Sequence, residues 1–88
     1  MDDKAKYIVT NYMYGHFDKS EPIPEFELYI VWKCKILHHW KYLISSTLPD
    51  GMYYECTYNG IKGEWYLDAY KKFDNVVIKD DDNVNSEQ

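Results

Sequence analysis

Eighty-eight residues with 45% hydrophobic content suit one small globular domain and leave no room for a second core. The formal charge of −5 and the lack of any arginine count against a nucleic-acid partner, since arginine is the side chain that grips phosphate and guanine through two bonds. No apolar run approaches the ~18 residues of a membrane span, and the polar, charged N-terminus does not read as a secretory leader, so a cytoplasmic setting is expected.

Residues 3–17 predict an amphipathic helix. Ala5, Ile8, Val9, Tyr12, Met13 and His16 recur at three- and four-residue steps, Asp2 or Asp3 can cap its start, and Gly15 marks its end. Residues 18–25 hold two prolines and alternating charge, which is loop chemistry.

The first strand is expected over 26–37, with Leu28, Ile30, Trp32, Cys34 and Ile36 on one side and Tyr29, Val31, Lys33 and Lys35 on the other. His38-His39-Trp40 forms the bend. For Ile36 to share a face with Ile44, that bend must contain an odd number of residues.

Strands two, three and four are expected over 41–48, 52–58 and 61–70. Pro49-Asp50-Gly51 suits a turn in which Pro presets φ and Gly takes the left-handed position. Asn59-Gly60 is the dipeptide of a two-residue type I′ hairpin. These turns imply a register: Tyr54 opposite Trp65, Cys56 opposite Gly63, Ile44 opposite Cys56 and Glu55 opposite Glu64.

Both hairpins place Tyr42, Ile44, Leu48, Met52, Tyr54, Cys56, Ile61, Trp65 and Leu67 on one apolar face. The helix carries the only matching stripe, so an α+β fold follows: an N-terminal helix packed on one face of a four-stranded antiparallel β-meander. Residues 71–79 read either as a continuation of the last strand or, preferably, as a turn at Asp74-Asn75 and a short fifth strand. The domain is expected over 1–79, followed by a flexible acidic tail at 80–88. That tail holds four acids and no base, which leaves the body near neutral, with eleven acids against ten lysines.

Catalytic and metal chemistry find little support. His38 and His39 diverge at a bend, and His16, Cys34 and Cys56 lack the short paired spacing of zinc ligands. Both cysteines fall on inward positions, as a disulfide or, preferably, as free thiols in a reducing compartment. No P-loop, dinucleotide glycine pattern or carboxylate dyad is present, so no catalytic residue, metal or cofactor is expected.

The outer sheet face is the candidate site. It is expected to carry Tyr29, Val31, Leu43, Tyr53, Tyr66 and Tyr70, edged by Lys33, Lys35, Lys41 and Lys62, with Glu55 and Glu64 facing each other. Like charges there destabilise unless a lysine or a basic partner meets them. An uncovered tyrosine-rich face points first to a homodimer through this face, second to contact with a host or defence protein, and third to bases of single-stranded nucleic acid stacked on the sheet.

The strings Val31-Trp32-Lys33-Cys34-Lys35, Asp50-Gly51-Met52-Tyr53-Tyr54-Glu55, Thr57-Tyr58-Asn59-Gly60 and Tyr66-Leu67-Asp68-Ala69-Tyr70-Lys71-Lys72 resemble a family of small uncharacterised proteins of phages and prophages of Gram-positive bacteria. The resemblance covers roughly residues 27–79, and more loosely the helix. It carries over no catalytic residue. What it implies is a setting: a non-enzymatic phage protein in the host cytoplasm that modulates a host or antiphage-defence factor.

Overall fold

The computed structural model describes residues 1–80. Helix α1 (Asp2–Tyr14) precedes four strands: β1 (Leu28–Ile36), β2 (His39–Ser46), β3 (Met52–Asn59) and β4 (Glu64–Lys71). The strands form one antiparallel sheet in the order β1-β2-β3-β4, and α1 lies across β2 and β3. This is the expected α+β meander. The expected acidic tail lies, apart from Asp80, outside the described residues.

The helical stripe forms where its periodicity places it. Ala5, Val9 and Met13 are buried, with Ile8 and Tyr12 packed beside them. They meet Tyr42, Ile44, Tyr54 and Cys56 from the two central strands. Fully burying side chains of this size contributes roughly 1.5–3 kcal/mol each, so this seam is the main stabilising contact. Neither Asp2 nor Asp3 caps the helix, because Met1 occupies the N-cap position without a side-chain bond. Asp2 is drawn sideways instead: its carboxylate accepts from Lys33 Nζ at 2.9 Å and from the Tyr42 hydroxyl at 2.8 Å. At the other end Gly15 caps with an ordinary helical φ of −68°, and the exposed His16 donates Nδ1–H to the Tyr12 carbonyl at 2.9 Å.

Both later turns differ from expectation, and both differ by an even step. The β3–β4 connection spans residues 60–63, so Tyr58 faces Trp65, Cys56 faces Leu67 and Tyr54 faces Ala69. Asn59 builds this turn with its side chain, whose Oδ1 accepts from the Ile61 and Lys62 amides at 3.0 and 3.2 Å. The left-handed residue is Gly63 (φ 69°), not Gly60. Ile61 therefore sits exposed at the turn instead of in the core. Glu55 faces Asp68 and Glu64 faces Asn59, so the expected Glu55–Glu64 pair does not form. In the β2–β3 connection, residues 47–51, Gly51 takes the left-handed conformation expected of it (φ 69°), and Ile44 faces Tyr54. Side-chain direction repeats every two residues, so an even slip leaves each residue on its expected face.

The first hairpin breaks this rule. Its connection is two residues, Leu37-His38, instead of an odd number, and the ladder shifts between Ile30 and Trp32. Val31 is the extra residue of a β-bulge there, and one extra residue inverts the parity of everything after it. Leu28 and Ile30 stay on the helix side. Beyond the bulge, Lys33 pairs with Tyr42 and Lys35 with Trp40 on that side, while Trp32, Cys34 and Ile36 turn outward. The inward position expected for Cys34 is thus corrected: it is exposed, and Cys56 alone is buried; both are free thiols.

The expected fifth strand is also absent. Past Lys71 the one ladder-like bond among the described residues is Lys72 N–H to the Gly51 carbonyl at 2.7 Å. Residues 73–80 form no strand and expose Phe73, Val76, Val77 and Ile78.

Candidate functional site

The sheet has two faces and one helix. On the side away from α1, the register sets residues in four rows running from β1 to β4. The row nearest the β2–β3 turn is Tyr29, Ser45, Tyr53, Tyr70; the next is Trp32, Leu43, Glu55, Asp68. Then come Cys34, Lys41, Thr57, Tyr66, and finally Ile36, His39, Asn59, Glu64. Among the described residues no helix or strand covers these rows, and the molecule is only 17 Å across its thinnest axis, about the thickness of one sheet and one helix.

The exposed aromatic area on this face is large. Tyr29, Trp32, Tyr66 and Tyr70 keep 48%, 43%, 44% and 51% of their surface in solvent. Ser45 is small and buried, with its hydroxyl donating to the Met52 carbonyl at 2.9 Å. A shallow notch opens above it, lined by Tyr29, Tyr53, Asp50 and Lys72, with a volume of about 490 Å³. Such a notch between two tyrosines can seat one side chain of a partner.

The charge is organised too. Lys41 Nζ lies 3.4 Å from Glu55 Oε2, and the Tyr70 hydroxyl donates to Glu55 Oε1 at 3.1 Å. The Tyr66 hydroxyl donates to Glu64 at 2.7 Å. Both phenols are held above their usual pKa, first by these bonds to carboxylates. Asp68 stands directly across from Glu55, between Tyr66 and Tyr70 along its strand, and forms no ion pair among the described residues. Counting the Asp50 and Lys72 of the notch, the face holds four carboxylates, Glu55, Asp68, Glu64 and Asp50, against two lysines, Lys41 and Lys72.

Of the nine candidate residues, Tyr29, Leu43, Tyr53, Glu55, Glu64, Tyr66 and Tyr70 lie on this face. Lys33 and Lys35 do not: the bulge at Val31 moves them to the helix side, where Lys33 pairs with Asp2 and Lys35 lies 5.9 Å from the Trp40 ring centre. Sequence reasoning missed Trp32, Cys34 and Ile36, which reach the face through the same bulge, and nothing in the local sequence signalled it. Asp68 was also missed. Its alternation with Tyr66 and Tyr70 was the available signal.

Elsewhere an open groove of about 1090 Å³ runs between α1 and the segment leading into β1, lined by Thr10, Tyr14, Ile23 and Phe26 among others. Among the described residues no three His, Cys, Asp or Glu side chains gather as a metal site would require. No helix among the described residues is long and apolar enough to cross a membrane.

A family model described as a family of unknown function (DUF6275) matches residues 2–80. The chain belongs to that family. Its match takes in α1, all four strands and the irregular segment after β4, so the open face is built wholly from family residues. No curated protein and no solved structure matches the chain.

Proposed function

We propose that this chain is a non-enzymatic binding module whose outer sheet face grips another protein. The observation that carries the reading is the uncovered face itself, with four aromatic side chains roughly half in solvent around a carboxylate cluster. Exposed aromatic side chains in this number mark contact sites, where tyrosine and tryptophan anchor most of the affinity. The charge argues for a basic partner surface: packing this face on a second copy of itself sets eight carboxylates against four lysines, and unpaired like charges oppose association. Single-stranded nucleic acid is disfavoured by the same sign, and by the move of Lys33 and Lys35 to the opposite side.

The biological setting follows the resemblance of the strand and turn strings to small phage and prophage proteins. In this reading the chain is phage-encoded, works in the cytoplasm of a Gram-positive host, and modulates a host or antiphage-defence protein. The test is affinity capture from infected and uninfected host lysate with the wild type, with Tyr66→Ala/Tyr70→Ala, and with Asp68→Lys. A protein retained by the wild type at moderate salt and lost with both face variants supports the reading. Equal capture by all three overturns it, as does retention of single-stranded nucleic acid that falls steeply with salt.

A further inference from the structure

The segment after β4 is the least explained part of the fold. Phe73, Val76, Val77 and Ile78 are 100%, 69%, 80% and 76% exposed, on a stretch without proline and rich in β-branched residues. Such a sequence is strand-prone, yet among the described residues no strand pairs with it. Beside it, β4 is an edge of the sheet. The other edge, β1, is blunted by a bulge and by Lys33 and Lys35, two devices that deter pairing. β4 has no bulge.

The direction of the free backbone groups is set. Lys72 N–H reaches the Gly51 carbonyl, so even-numbered residues of β4 bond inward to β3. By antiparallel alternation, the N–H and C=O of Ala69 and Lys71 point out from the edge. If the strand runs straight on, those of Phe73, Asn75 and Val77 point the same way.

From this geometry we propose that β4 and residues 72–80 of two copies pair antiparallel across a two-fold axis, joining two sheets edge to edge through the segment each chain leaves bare. The register is the one with Phe73 on the axis. It sets Phe73 against its symmetry mate, Lys72 opposite Asp74, Tyr70 opposite Val76, and Ala69 opposite Val77. Each charged pair is then of opposite sign. Shifting the axis to Lys72 opposes two lysines, and shifting it to Lys71 opposes Asp68 and Asp74 twice. An antiparallel contact of this kind is self-complementary, as a two-fold dimer requires. It is independent of the outer-face reading, since it uses the sheet edge and leaves the outer rows of both copies open and coplanar.

The test uses the full chain. Sedimentation equilibrium at tens of micromolar is expected to give twice the 10.6 kDa chain mass. Val77→Pro removes an N–H that the dimer ladder uses and that makes no backbone bond among the described residues, so it is expected to give a monomer with unchanged circular dichroism. Register is read in a Cys34→Ser background by pairing Val76→Cys with a cysteine at 66, 68 or 70. Tyr70→Cys is expected to give the covalent dimer under mild oxidation. A monomeric wild type, a Val77→Pro dimer as stable as the wild type, or a disulfide formed within one chain overturns the proposal.

Discussion

Replacing Gly60 with alanine tests the fold at its tightest point. An ideal Cβ built on Gly60 lies 1.9 Å from the His38 carbonyl oxygen, 2.9 Å from its carbon and 3.0 Å from its Cβ. The obstructing group is backbone, at the tip of the β1–β2 hairpin, so no side-chain rotation relieves it. The two turns must part by more than 1 Å before the 3.0 Å floor for real Cβ contacts is met. That movement loosens the adjoining His39–Asn59 pair. Overpacking of a tight site costs about 1–3 kcal/mol, and with backbone on both sides the upper end, roughly 3 kcal/mol, is expected. For a domain of this size that lowers Tm by roughly 12–24 °C. Gly63→Ala is the comparison: its φ is 69° but nothing lies within 4 Å, so only the left-handed backbone cost of about 1–2 kcal/mol applies. Thermal unfolding followed by circular dichroism decides between them. If Gly60→Ala destabilises no more than Gly63→Ala, the close approach of the two hairpin tips is wrong.

Three further outcomes follow from the same geometry. In the folded protein a thiol reagent at pH 8 is expected to label Cys34 quickly and Cys56 only after denaturation, because Cys34 is exposed and burial pushes the Cys56 thiol up to about 11; mass spectrometry of the labelled chain reads this directly. The raised thiol, together with the raised hydroxyls of Tyr42 and Tyr54, whose largest cause is also burial, stabilises the fold fully below the ordinary values of 9 and 10. Stability is therefore expected to fall as pH rises from 9 through 11, and denaturant midpoints that stay flat over that range would contradict it. Asp68→Asn removes a like charge set across from Glu55 and is expected to raise stability by about 0.2–0.5 kcal/mol in urea unfolding, while weakening capture of a basic partner; a loss of stability would mean that Asp68 serves the fold instead.

Much of this molecule is written in local patterns. The stripe of Ala5, Val9 and Met13 and the alternation of β2, β3 and β4 name the buried face unaided, because helical and strand periodicities depend only on residue order. The turn errors at Asn59-Gly60 and Pro49-Gly51 were harmless, since each slip was even and parity survived. Gly60 was recognised as special for the wrong cause: its need is space beside His38, a residue distant in sequence, and not a left-handed φ. The bulge at Val31 lay beyond local reading altogether. Up to Ile30 the strand turns Leu28 and Ile30 to the helix side, as its alternation says. After it, Lys33 reaches Asp2 on the helix, and one added residue carries Trp32, Cys34 and Ile36 to the open side. Periodicity along a chain decides which residues can share a face; only contact between distant segments decides where the count is broken, and so which side chains the open face presents.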